Sequence, residues 1–293
     1  MMRKDEINKD KKGVGKPDIL EKLPQSRIPW KRTGEEVWNS LENSIKVKTE
    51  ARKISITSYV LRLSAAAVIL VLIGITAFMR FYSRSLSSQP GELVNLELPK
   101  GSKVELNAET TIKYNPLWWS FKREIQMEGE AYFEVTSGNE FKVISGPGTT
   151  TVLGTTFNIY SRKGEYEVSC YTGKVRVGSI DSGREVILES DQKASLNRDG
   201  NLAVSEEPSG LLKQDWRSGF FRFTAMPVKR VFDEISRQYG VNIKVTDDLD
   251  LIYTGNFSKD QSIEEVMNLV CKAFGINFVS EGENTYRVVV DAE

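Results

Sequence analysis

Residues 63–79 read LSAAAVILVLIGITAFM, flanked by Arg62 and Arg80. With the uncharged approach Ser58 to Leu61, and with the two arginines snorkelling outward, the run reaches the roughly 20 residues that cross a hydrocarbon core of about 30 Å. A secretory signal peptide would lie nearer the start, and here some sixty mostly polar residues come first. A buried core helix usually keeps a polar face, and this run has none. The stretch therefore reads as a membrane span over residues 58–80, and it divides the rest of the chain into two compartments.

The flanks set the orientation. Lys46, Lys48, Arg52, Lys53 and Arg62 precede the span, whereas only Arg80 and Arg84 follow closely. Excess Lys and Arg stays in the cytoplasm, so residues 1–57 are expected inside and residues 85–293 outside. The formal net charge of zero hides this asymmetry. Residues 1–57 hold 14 Lys and Arg against 9 Asp and Glu, and residues 85–293 hold 23 against 31.

Composition removes several chemistries. There is no histidine, which excludes Ser-His-Asp and Cys-His nucleophilic schemes and imidazole acid–base work. Cys170 and Cys271 fit no zinc or redox spacing, and both sit in apolar-patterned segments. Two buried thiols, or one disulfide between domains, are both open. Lys12 to Lys16 looks faintly phosphate-binding but lacks the Walker spacing. No cofactor or metal is expected.

Residues 1–25 are polar and poor in aromatics, a composition of disorder. Thr33-Gly-Glu-Glu36 is then a capping box that opens a helix. Val37, Trp38, Leu41 and Ile45 recur on one face, and Trp30 lies just upstream. A lone helix of this length is marginal in water, so its apolar face needs a cover. Two covers are open: the inner leaflet, or a groove on a cytosolic protein with Trp38 inserted. The segment has no helix-turn-helix pair, so direct nucleic-acid binding is not expected.

After a Ser-rich connector, residues 81–90, short alternating runs separated by Gly-rich turns extend over residues 91–205. They predict an all-β domain with no long helix. Four blocks in order carry a resemblance: Leu98 to Asn107, Glu128-Gly-Glu-Ala-Tyr-Phe-Glu-Val135, Leu153-Gly-Thr-Thr-Phe-Asn-Ile159 and Thr172-Gly-Lys-Val-Arg-Val177. Together they resemble the FecR domain of transmembrane sigma-factor regulators. The usual Pro-Phe of that family stands here as Glu140-Phe141.

Residues 212–293 predict a small α+β domain in the order β-α-β-β-α-β-β. Pro227 starts one helix and Gly240 ends it. Ser262-Ile-Glu-Glu265 caps the second, which Gly275 closes. Trp216-x-x-Gly219-x-Phe221-x-Phe223, Tyr239-Gly-Val-Asn-Ile243, Thr254-Gly-Asn-Phe257 and Ser262 to Val266 resemble the module that follows FecR domains in Bacteroidetes-type regulators. That module is itself similar to the short signalling domains of secretins and TonB-dependent receptors.

The resemblance implies an inner-membrane, single-pass anti-sigma factor. Its residues 1–57 would bind an extracytoplasmic-function sigma factor through Trp30, Val37, Trp38, Leu41 and Ile45. Its periplasmic domains would meet the signalling domain of a TonB-dependent outer-membrane receptor. The resemblance further implies cleavage by periplasmic and intramembrane proteases. In several relatives a Gly-Thr pair is cut by the protein itself, which points to Gly154-Thr155. The plainer reading of that pair is a tight turn between strands. Turnover catalysis is not expected, and Glu128, Glu130 and Glu134 read as a solvated strand face. The competing function is a membrane-tethered envelope-binding or assembly protein acting on glycans or a partner complex.

Overall fold

The computed structural model describes residues 31–48, 56–197, 199–206, 216–246 and 249–289. The chain divides into two units, residues 1–68 and 69–293. Helix α1 spans Gly34–Lys48 and helix α2 spans Ile56–Phe81. Residues Tyr59–Phe81 are long and apolar enough to cross a membrane. Their apolar side chains, Leu63, Leu70, Leu72 and Phe78 among them, are exposed along the helix, as a lipid-facing span requires. Within it, the Ser64 hydroxyl donates to the Leu61 carbonyl and the Thr76 hydroxyl to the Leu72 carbonyl at 2.8 Å, so neither hydroxyl is left unpaired.

Beyond α2 the chain builds a sandwich of two sheets that share one strand. The strands are β1 (Arg84–Ser87), β2 (Val94–Glu97), β3 (Lys103–Leu106), β4 (Thr111–Tyr114), β5 (Arg123–Glu134), β6 (Phe141–Ser145) and β7 (Gly148–Val152). Then follow β8 (Thr156–Arg162), β9 (Glu165–Thr172), β10 (Val175–Ser179), β11 (Glu185–Leu188), β12 (Gln192–Leu196) and β13 (Leu202–Glu206). One sheet runs β1-β4-β5-β6-β7-β10-β11 and the other β2-β3-β5-β8-β9-β12-β13. Within the sandwich all pairings are antiparallel except β5 with β6.

The expected connector is partly wrong: Arg84–Ser87 pairs with Thr111–Tyr114 as β1. Its Ser-rich composition hid a strand whose only half-buried residue is Leu86. Where short runs were expected, residues 123–134 form one twelve-residue strand, β5. Its first half pairs with β4 and β6, and its second with β3 and β8. The crossover is at Gly129, where φ is 119°. A Cβ there would fall 2.7 Å from the Thr110 Cα. Gly129→Ala should therefore cost about 1–3 kcal/mol, from the backbone conformation and the crowding together. Thermal unfolding of the variant checks it.

Alternation fills the core with Leu98, Leu106, Ile112, Ile125, Phe133, Phe141, Phe157, Ile159 and Val168, all essentially inaccessible. Phe133 faces Phe157 across β5 and β8 with ring centroids 4.9 Å apart, nearly parallel. Such a cross-strand aromatic pair adds about 0.5–1.5 kcal/mol beyond its buried area.

A 3-10 turn, Trp216–Ser218, opens the last domain. It continues as β14 (Phe220–Pro227), α3 (Val228–Tyr239), β15 (Asn242–Lys244), β16 (Ile252–Ser258), α4 (Ile263–Lys272), β17 (Asn277–Gly282) and β18 (Thr285–Val289). The order is β-α-β-β-α-β-β, but the strands make two small sheets, β14-β16 and β15-β18-β17. Pro227 precedes α3, and Gly240 ends it in the left-handed region at φ 64°. Both halves of the Ser262–Glu265 capping box form. Helix α4 stops at Lys272, before Gly275.

Cys170 lies in the sandwich core and Cys271 in the second core, both as free thiols. Burial pushes each up to about 11, helped at Cys170 by the Asp191 charge. Neither thiol is a ready nucleophile.

Candidate functional site

Helix α1 opens with the Glu36 half of the expected capping box. The Thr33 backbone N–H donates to the Glu36 carboxylate at 3.1 Å, and the Val37 N–H to the Thr33 carbonyl at 3.2 Å. Glu35 and Glu36 occupy the first turn, where the helix dipole favours acids. The turn angle of about 100° per residue then gathers Val37, Trp38, Leu41 and Ile45 into one stripe. Trp38 is 70% exposed and Ile45 63%, and Val37 and Leu41 are exposed as well. Trp30 lies outside the described residues. The face is apolar and aromatic, and all four side chains are exposed.

Gly154 and Thr155 sit between β7 and β8, with the Thr155 backbone exchanging two hydrogen bonds with Val135. The Thr155 hydroxyl is buried and donates to the Lys174 carbonyl at 3.1 Å. A Cβ on Gly154 would lie 2.8 Å from the Ser137 Cα, so close backbone approach alone requires glycine here. The dipeptide thus has a packing role regardless of any chemistry.

A polar cluster that periodicity did not reveal joins the sandwich to α3. Glu130 accepts from the side-chain amides of Asn107 (2.9 Å) and Asn158 (3.0 Å). Glu234 on α3 accepts from Arg237 twice, at 2.6 and 3.2 Å, and from Gln238 at 2.8 Å. The Gln238 amide also reaches Asn107 at 2.7 Å and so ties the two halves together. Glu130 is therefore not on a solvated face, in contrast to the alternation read along its strand. Gly129 shifts the strand to the second sheet, and the neighbouring side chain turns toward α3.

Burial first, and then the Glu234 charge, raise the Glu130 carboxyl above the ordinary carboxylate range. Burial acts the same way on Glu234, but the Arg237 guanidinium and the bonds from Arg237 and Gln238 outweigh it and hold that carboxyl low. A second ion group flanks the cluster. Arg230 bonds Glu167 at 2.8 Å and Glu165 at 3.1 Å, and lies 4.4 Å over the Tyr160 ring. Lys193 also pairs with Glu167. An open cleft of about 360 Å³ adjoins this junction, lined by Tyr160, Tyr171, Trp216, Phe221 and Arg230. Lys259 closes the contact elsewhere by donating to the Gly91 carbonyl at 2.6 Å. Among the described residues no group of three acidic, Cys or His side chains could hold a metal.

Comparison with known proteins fits this arrangement. The family model FecR protein matches residues 84–176, and FecR, C-terminal matches residues 220–287. No curated protein matches. A crystal structure at 2.50 Å of a "putative anti-sigma factor" from Parabacteroides distasonis is 27% identical, with a TM-score of 0.66 over 72% of this chain and 100% of that one. Another from the same organism, at 1.65 Å and under the same description, is 26% identical, with a TM-score of 0.65 over 71% of this chain and 100% of that one. The first model begins at β1 and the second at β14. The chain belongs to the FecR family of anti-sigma factors.

Proposed function

We propose that this chain is a single-pass regulator that holds an extracytoplasmic-function sigma factor on the inner face of the cytoplasmic membrane. Its outer domains would respond to the signalling domain of a TonB-dependent receptor. The observation that carries the first half is the exposed apolar face of α1, with Trp38 at its centre. A partner helix groove covers such a stripe more completely than a headgroup layer does. For the second half, β17 pairs only with β18 among the described strands, which leaves an edge for strand addition. Release would proceed by a periplasmic cut and then intramembrane cleavage within Leu63–Met79.

Co-purification from host membranes tests the assignment. The full-length chain should retain one host sigma factor, and a chain lacking residues 1–50 should retain none. A tethered envelope-binding protein would keep its function after that deletion. Retention of no sigma factor by the full chain would sink the regulator assignment.

A single self-cleavage at Gly154-Thr155 forms part of the proposal. The Thr155 Oγ attacks the Gly154 carbonyl carbon, the C–N bond breaks, and the freed amine takes the hydroxyl proton. Water then hydrolyses the ester to a Gly154 carboxylate and restores the hydroxyl. The fragments would stay together, because β7 and β8 are each held by neighbours on both sides. The cut should therefore show only on a denaturing gel, and Thr155→Ala should give one intact band. An intact natural chain under the same conditions refutes the step.

A further inference from the structure

The segment Asn115 to Lys122, NPLWWSFK, joins β4 to β5 and takes no part in the junction with α3. It is fastened to the end of α2. The Asn115 side-chain amide donates to the carbonyls of Met79 (2.8 Å) and Arg80 (3.0 Å), two acceptors that the last helical turn leaves open. The oxygen of the same side-chain amide accepts from the Trp118 N–H at 2.9 Å, which turns the loop back on itself. The adjacent tryptophans then part. Trp119 is buried against Tyr114 and Phe141. Trp118 instead pairs with Phe121, ring centroids 4.6 Å apart, on the outer side of the loop. Phe121 is 74% exposed, and Leu117, Phe81 and Tyr82 are exposed beside it. The Arg80 guanidinium lies 5.9 Å from the Trp118 ring, and Lys113 and Lys122 border the same hollow.

We propose that this loop is an interfacial anchor, seated in the headgroup layer of the membrane that α2 crosses. Hydrogen bonds place it at the level where the helix ends, and Trp and Tyr collect at that depth because their rings have one apolar and one polar side. In water the same cluster would be an unexplained apolar patch. Arg80 and Lys113 would supply the cations that lipid phosphates need, while Lys122 is already paired with Glu124 at 2.7 Å on the same hollow. The consequence is a β-sandwich held against the bilayer by two attachments, the span and the loop, so that it does not swing freely on a single tether.

The proposal rests on α2 being a span, and the experiment separates the two claims. The full-length chain carries an environment-sensitive NBD label at Phe121→Cys, at Ile69→Cys or at Lys272→Cys, and the two natural thiols stay unlabelled because they are buried. Each protein is reconstituted in vesicles of equal parts phosphatidylcholine and phosphatidylglycerol. Nitroxide lipids with the quencher near the headgroup or deep in the chains are then added. The label at residue 121 should shift to the blue and lose most of its emission to the shallow quencher. The label at 69 should respond to the deep quencher, and that at 272 to neither. A quenched residue 69 with an unquenched residue 121 overturns the anchor and leaves the span intact. A blue shift at 121 without lipid quenching also overturns it, since protein would then cover the loop. Failure at both 69 and 121 overturns the span and the anchor together.

Discussion

Glu234→Ala should cost about 3–5 kcal/mol and unseat α3 from the β-sandwich, because it leaves the Arg237 guanidinium buried without its carboxylate. Both side chains are at most 10% exposed, and the carboxylate takes two bonds from one guanidinium. Gln238 would lose a partner as well, although it keeps Asn107. The loss belongs to the broken pair and not to the pair's net contribution. Replacing both members by apolar residues of similar size, Glu234→Leu with Arg237→Met, should recover most of it. Thermal unfolding of the full chain in detergent reads each variant. A single substitution costing under about 1 kcal/mol would mean that water reaches the pair and screens it.

The same cluster predicts a pH profile with two limbs of opposite sign. Glu130 has a raised folded value, so protonation favours the folded state. Stability therefore rises as pH falls through that value, and the gain is complete near the ordinary carboxylate range. Glu234 has a depressed folded value, so its contribution is full above the ordinary range and is lost as pH falls through its own value. Mildly acidic solution should thus be the most stable condition, with a decline at lower pH. Glu130→Gln should flatten the first limb and keep the second. A profile unchanged by that substitution would remove Glu130 as its origin.

What the sequence made legible follows from the physics of each element. The long apolar helix was readable because seventeen consecutive uncharged residues leave few alternatives, and the sandwich because alternation repeats many times. Capping at Ser262 and Gly240 depends on neighbours within four residues, and it was readable for that reason. The junction was not. Asn107, Glu130, Asn158, Glu234 and Gln238 meet across separations as long as 131 residues, and each one alone looks like an ordinary surface residue. Strand β1 was missed because Arg84, Ser85 and Ser87 carry no apolar alternation. The loop at 115–122 gave a signal in its paired tryptophans, but only the bond from Asn115 to the end of α2 gives that pair a location.

Trp38→Ala should weaken capture of the sigma factor by about 30- to 1,000-fold, the 2–4 kcal/mol typical of a central buried tryptophan. Trp38 is the largest side chain on the α1 stripe and the most exposed of its four apolar members, so it has the most area to lose to a partner. Ile45→Ala, near the helix end, should cost several-fold less, since rim positions contribute less than the centre. Helix stability does not confound the comparison: alanine is the better helix former at both positions, and neither residue takes part in the cap at Thr33 and Glu36. Titration of the captured sigma factor against the full-length variants in nanodiscs measures both ratios. Equal and small losses at residues 38 and 45, with the arm instead partitioning onto anionic vesicles, would place this face on the inner leaflet. The membrane, not a protein groove, would then be what covers the stripe.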